Sequence, residues 1–223
     1  AEDGTSQTIT VTITGANDTP TVSTTIADAS TDEDAAYSYD ASANFTDVDT
    51  GDTATYTVSN NPTWMSIDSA TGILSGTPDN DDVATTNITV TRTDTAGESA
   101  SDTFALTVAN TNDTPTVSTT IADASTDEDA AYSYDASANF TDVDTGDTAT
   151  YTVSNNPTWM SIDSATGILS GTPDNDDVAT TNITVTRTDT AGESASDTFA
   201  LTVDNTNDAA VISGTSTGAV TED

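Results

Sequence analysis

Apolar and polar residues alternate with a period of two along most of the chain. Asp102-Thr103-Phe104-Ala105-Leu106-Thr107-Val108 shows the pattern, and Gln7-Thr8-Ile9-Thr10-Val11-Thr12-Ile13-Thr14 follows it strictly. A period of two puts every second side chain on one face, which is how a half-buried strand reads. Further candidate strands lie near residues 21–26, 36–39, 53–59, 64–67, 73–75 and 87–93, and they are rich in the Thr, Val, Ile and Tyr that pleated sheets favour. Turn chemistry separates them at Asn60-Asn61-Pro62, Thr71-Gly72, Thr77-Pro78-Asp79 and Ala96-Gly97. No stretch carries the 3.6-residue period of an amphipathic helix. About seven short strands per hundred residues predict an all-β, Greek-key sandwich. Its core is expected from Phe45, Tyr56, Trp64, Ile67, Ile73, Leu74, Ile88, Val90, Phe104, Leu106 and Val108.

The pattern then repeats. Residues 17–108 recur without a change as residues 112–203, a period of 95. That is too long for a solenoid repeat of about 20–50 residues and suits a complete small domain. The expected organisation is a last strand of a preceding repeat over 1–16, a first sandwich over 17–111, a second over 112–207, and the opening of a following repeat over 208–223. Thr221-Glu222-Asp223 supports the last assignment, since its place after the Asn-Asp junction matches that of Thr31-Asp32-Glu33-Asp34. Residues 1–4 and the last few are expected to be loose.

Charge changes the picture. The chain holds 38 acidic residues against two basic ones, Arg92 and Arg187, for a net charge of −36. Such a chain repels nucleic acid and anionic membranes and attracts cations. Cys, His and Lys are absent. Their absence removes disulfides, thiolate metal sites, the commonest general base and Schiff-base chemistry. No run of about 18 apolar residues exists to span a membrane as a helix.

The acids are clustered at turns. Each repeat has Thr31-Asp32-Glu33-Asp34, Asp47-Val48-Asp49-Thr50-Gly51-Asp52, Asp79-Asn80-Asp81-Asp82 and Asp94 before Ala96-Gly97, and the junction adds Asn110, Asn112 and Asp113. Asp and Asn are also at home in hydrated turns. A set that recurs in order around a sandwich, without His or Cys, points to calcium, a hard cation taking six to eight oxygens. No simple motif explains it. Asp47 opens an EF-hand-like run whose twelfth position is Val58 rather than Glu. The chain is expected to be non-enzymatic, because no carboxylate pair is set apart and a sandwich of this size offers no evident cleft.

The order of these motifs resembles cadherin-like domains. An early Glu33, the Asp47-Val48-Asp49-Thr50-Gly51 loop, Met65-Ser66-Ile67-Asp68 with Thr71-Gly72-Ile73, the acidic loop 79–82, Asp94 with Gly97, and Asn112-Asp113-Thr114-Pro115 follow one another as in that family. Pro62-Thr63-Trp64-Met65-Ser66-Ile67-Asp68 through Gly76-Thr77-Pro78 looks most similar to its dystroglycan-type, Ig-like branch. The flanks, residues 7–18 and 207–223, resemble pieces of the VCBS-type repeats of giant bacterial RTX adhesins exported by type I secretion. The resemblance implies two tandem seven-stranded Ig/cadherin-like sandwiches in an extended rod, with calcium where consecutive domains meet. At the central junction it implies Glu33, Asp79 and Asp81, then Asn110, Asn112 and Asp113, then Asp142, Asp144 and Asp189. At the incoming junction it implies Asn17, Asp18, Asp47, Asp49 and Asp94. At the outgoing one it implies Glu128, Asp174, Asp176, Asn205, Asn207 and Asp208. The chain departs from the pattern at 79–82, which lacks the usual Arg and Glu, and at Asn110, where Asp is usual.

Two functions are therefore expected. The first is a calcium-stiffened, monomeric extender of an extracellular bacterial surface adhesin, touching neighbouring repeats and holding a distal domain out for attachment or biofilm formation. Verbatim repetition favours it, since reach grows with copy number. The second is a module that binds carbohydrate or a like domain. Exposed aromatics would mark it, and Tyr37 and Tyr39 are its best candidates, although strand spacing places them in the core.

Overall fold

The structure, a computed structural model, describes residues 4, 7–12, 15–49 and 51–209. The chain divides into two units, Ala1–Thr111 and Asn112–Asp223. In the first, nine short strands run β1 (Thr21–Val22), β2 (Ala29–Asp32), β3 (Tyr37–Asp40), β4 (Phe45–Thr46), β5 (Thr55–Ser59), β6 (Ser66–Ile67), β7 (Ile73–Gly76), β8 (Thr85–Thr93) and β9 (Ser99–Ala109). The second unit repeats them from β10 (Thr116–Val117) to β18 (Ser194–Asp204).

Each unit is a sandwich. In unit 1 a four-stranded sheet, β2-β9-β8-β5, packs over a three-stranded sheet, β3-β7-β6, and β1 pairs with β4 at the margin. The all-β sandwich read from the sequence is therefore present in both units, with a finer strand count. Of the expected strand near residues 21–26 only β1 forms, and β2 and the two-residue β4 are additional. Strand β2 runs parallel to β9 while its neighbours are antiparallel. A parallel pair cannot be joined by a hairpin, so the rest of the repeat forms the crossover between β2 and β9.

The core follows from the alternation. Leu74, Ile88 and Val90 are wholly buried, and Phe104, Leu106, Met65, Phe45 and Tyr56 nearly so. The Tyr39 ring of β3 lies 6.3 Å from the Phe104 ring of β9, so aromatic contact ties the two sheets. Trp64, Tyr37 and Ile67 are part-buried against the same cluster. Ile73 departs from expectation and is exposed. It precedes Leu74 on a strand, and adjacent residues on a strand face opposite ways. Ile26, Ala41 and Met65 join the core instead. Gly76 is needed sterically, because a Cβ there would lie 2.1 Å from the Trp64 carbonyl oxygen.

Residues 7–12 do not form the strand that their alternation predicts, and Ile9 and Val11 are 82% and 75% exposed. Alternation specifies a strand only where a ladder partner and an apolar surface are available to it. Ile13 and Thr14 lie outside the described residues, as do 1–3, 5–6 and the proposed start of a following repeat beyond residue 209.

Candidate metal centre

Strand β9 has eleven residues, so its two ends are about 35 Å apart. Acidic residues gather at both. At the start of β9, turns bring together residues far apart in sequence. The Asp94 carboxylate, 5% exposed, accepts from the Asn17 side-chain amide at 2.9 Å and the Glu98 amide at 2.8 Å. Asp49 accepts the Asp18 amide at 2.7 Å, and its own amide donates to Asp47 at 3.1 Å. Asp47, Asp52 and Asp94 each offer a carboxylate oxygen within 4.8 Å of the others. Oxygens that share one calcium ion lie at most about 5 Å apart. Without a cation, each such pair repels by about 1 kcal/mol in water and several-fold more beside protein. An open cavity lined by Gly15, Ala16, Asn17, Asp49, Gly51 and Asp52 adjoins the cluster.

Unit 2 builds the same face from its own residues. Asn112 donates to Asp189 at 2.9 Å, the Asp113 amide to Asp144 at 2.7 Å, and the Asp144 amide to Asp142 at 3.3 Å. Asp142, Asp147 and Asp189 again lie within 4.8 Å. The hydrogen bond from the Asn17 amide, outweighing burial, holds the Asp94 carboxyl below its ordinary pKa, and Asn112 does the same for Asp189. These carboxylates stay ionised at neutral pH.

The far end of β9 carries a different set. Glu33 follows β2 directly and is 2% exposed. Its amide donates to the Ala109 carbonyl, and its Oε1 accepts the Thr111 amide at 2.7 Å. Its Oε2 is buried with no hydrogen-bond partner among the described residues. Glu128 repeats the arrangement, with Oε1 on the Thr206 amide and Oε2 unpartnered. A buried carboxylate oxygen without a donor is costly, and a cation satisfies it. Asp34 ties this end to the acidic loop through its amide on the Pro78 carbonyl. There Asp79 and Asp81 are exposed, and Asp79 caps a 3-10 turn by accepting the Asp81 amide at 3.0 Å. Asp174 caps Asp176 likewise. Asn110 donates to the Thr111 carbonyl and Asn205 to the Thr206 carbonyl. Asn207 reaches the Asp208 carbonyl, and Asp208 accepts from Asn175 of the loop.

Each unit thus carries a hydrogen-bonded acidic cluster at the start of its long strand, and at the far end a buried Glu beside the acidic 3-10 loop. The sequence reading missed Asp52 and Glu98 as members of the first face. Asp52 stood within a cluster already noted. Glu98 follows Gly97 with no acidic neighbour, yet it accepts from both Asn17 and Thr19. Tyr37 and Tyr39 do not form an exposed aromatic platform. Tyr37 packs edge-on against Trp64 and Tyr39 donates to Asn44.

Fold and faces define a tandem repeat of Ig/cadherin-like sandwiches. The chain belongs to the family described as "Putative Ig domain", whose model matches residues 19–109 and 114–204. The Serine-rich adhesin for platelets of Staphylococcus aureus strain MRSA252 is 36% identical over 154 residues, covering 69% of this chain and 11% of that protein. The same adhesin from strain MSSA476 is 36% identical over 154 residues, covering 69% of this chain and 6% of its own length. The chain thus spans about a tenth or less of these relatives. Among solved structures, mouse cadherin-23 EC22-24 matches with a TM-score of 0.58 and 19% identity, over 85% of this chain and 65% of that one. Drosophila N-cadherin EC1-4 matches at 0.56 and 18%, over 86% and 50%. The cadherins share the fold. The adhesin relatives share its sequence over 69% of this chain. Among the described residues, no helix is long and apolar enough to cross a membrane.

Proposed function

We propose that the chain is a calcium-stiffened extender segment of a large extracellular bacterial surface adhesin, in which repeated sandwiches hold a distal adhesive domain away from the cell. The observation that carries this reading is the bare, buried Oε2 of Glu33, repeated at Glu128. Folding buries a carboxylate oxygen with no hydrogen-bond donor among the described residues, at the end where the chain leaves the sandwich.

The linker supports the same reading. The Thr111 amide is pinned to Glu33, and the next residue, Asn112, is pinned by its side chain to Asp189. Divalent ions bound by Glu33, Asp79, Asp81, Asn110, Asn112, Asp113, Asp142, Asp144 and Asp189 would neutralise the seam and remove its freedom to hinge. The incoming set is Asn17, Asp18, Asp47, Asp49 and Asp94, and the outgoing one Glu128, Asp174, Asp176, Asn205, Asn207 and Asp208. Calcium would supply charge neutralisation and fixed coordination. The chain's own carboxylates hold one another's amides in register for it. An ion at about 1,000 times its dissociation constant adds about 4 kcal/mol of stability per site. A chain of this acidity would then fold once it meets extracellular calcium, as type I export of an RTX-type adhesin requires. Partners are neighbouring repeats of the same chain, and the role served is attachment and biofilm formation.

Native mass spectrometry in millimolar calcium tests the reading. Bound calcium that a chelator removes is expected. A chain carrying no ion under those conditions contradicts it.

A further inference from the structure

The chain has two basic residues, and neither lies on the surface. Arg92 and Arg187 are 8% and 7% exposed. Both stand on the inward-facing register of a central strand, in line with Ile88 and Val90 in the first unit. An apolar residue is the default at such a position, since arginine is almost never fully buried unless paired. The partner is Asp47. Its side chain is 4% exposed, and its Oδ2 lies 3.4 Å from Arg92 Nη1. In unit 2 the distance from Arg187 to Asp142 is 3.3 Å. Neither atom of either pair has a hydrogen bond among the described residues. The contact is therefore charge against charge, longer than the 2.7–2.9 Å of a charge-assisted hydrogen bond.

Asp47 is also a member of the three-carboxylate cluster with Asp52 and Asp94. Three carboxylates carry −3. The guanidinium brings the group to −2, which one divalent ion balances. It also stands against an oxygen that a second cation would need, and two cations sharing that oxygen would repel. Glu33 at the other end of the unit has no such partner, because the chain's basic residues are spent on Asp47 and Asp142.

We propose that Arg92 and Arg187 are built-in counter-cations of these clusters, holding Asp47 and Asp142 in place without metal and lowering by one the number of divalent ions each cluster takes. The ion count rests on the calcium reading above, whereas the pairing does not.

The test is a double-mutant cycle on the full chain. Its corners are the wild type, R92M/R187M, D47N/D142N and the four-fold combination, each melted in chelator and weighed by native mass spectrometry in calcium. In chelator, R92M/R187M is expected to lower the melting temperature by about 10 °C or more, because breaking a buried pair leaves an uncompensated charge. The four-fold variant is expected to recover most of that loss. In calcium, R92M/R187M is expected to bind two more ions per chain than the wild type. A shift under about 2 °C in chelator, losses that simply add, or an unchanged ion count overturns the proposal. If R92M/R187M leaves no folded chain to melt, D47N/D142N alone decides. It is expected to melt lower, with its guanidinium unpaired, and an unaltered melting temperature overturns the pairing. A wild type that binds no calcium sinks the extender reading and the ion count together, while the cycle in chelator still judges the pairing.

Discussion

Glu33→Gln separates a structural acid from a metal ligand by the sign of its effect. In the calcium-free protein Glu33 keeps one good hydrogen bond, to Thr111, and buries its second oxygen with no hydrogen-bond partner among the described residues. An effectively buried charge costs several kcal/mol after relaxation, offset here by the Thr111 amide. Gln keeps the shape and can keep that acceptor while removing the charge. Its new amide donor is left unsatisfied, at about 1–3 kcal/mol. The balance predicts that E33Q in chelator is as stable as the wild type or more so, by about 0–2 kcal/mol. For a unit of this size that is a rise of up to about 10 °C. In calcium the order reverses, because the lost ligand forfeits about 2.7 kcal/mol at a hundred-fold excess over the dissociation constant. Thermal melts by circular dichroism, with calcium and with chelator, provide the assay, and E128Q should behave alike. An equal loss of stability in both buffers refutes the reasoning, because it would make Glu33 only a strand-end hydrogen-bond acceptor.

Three other outcomes follow from the packing and the charges. Leu74→Ala, at a wholly buried position in the same core cluster as Ile88 and Phe104, should cost about 2–5 kcal/mol in denaturant melts. Gly76→Ala should cost about 1–3 kcal/mol by overpacking, because its Cβ would meet the Trp64 carbonyl; an unchanged midpoint would contradict that contact. Asp94 and Asp189 have depressed pKa values, first through Asn17 and Asn112. Their contribution is therefore full above the ordinary aspartate value of about 4 and lost as pH falls through the lower, folded value. NMR titration of the Asp94 carboxyl in wild type and Asn17→Ala should show the midpoint rise towards the ordinary value in the variant.

Much of this was legible in the sequence. The verbatim repeat with its period of 95, the period-two runs and the Gly, Pro and Asn turns specify the sandwich without further help. The acidic loops were visible, and so was the order in which they recur. The misses share a cause, which is that tertiary placement overrides local pattern. Strand β2 hides in Ala29–Asp32 because its sequence has no apolar alternation, and its place is set by a parallel partner some 77 residues away in sequence. Glu33, expected as a ligand in a turn cluster, is among the most buried side chains of the unit, which local sequence does not reveal. Ile73 beside Leu74 could face either way until the register of β7 against β3 was fixed. Residues 7–12 show the converse, a strict alternation that pairs with no strand among the described residues. Arg92 is the clearest case. A lone cation in an acidic chain looks like a surface residue, and only the fold shows it inside, beside Asp47.

The most direct measurement is small-angle scattering of the whole chain as calcium is raised from chelated to millimolar. Ions that lock the linker should narrow the distribution of distances and lengthen the maximum dimension, saturably and reversibly. Superimposable curves across the whole titration would mean that the two sandwiches are joined identically with and without the ion, and the stiffening role would be wrong.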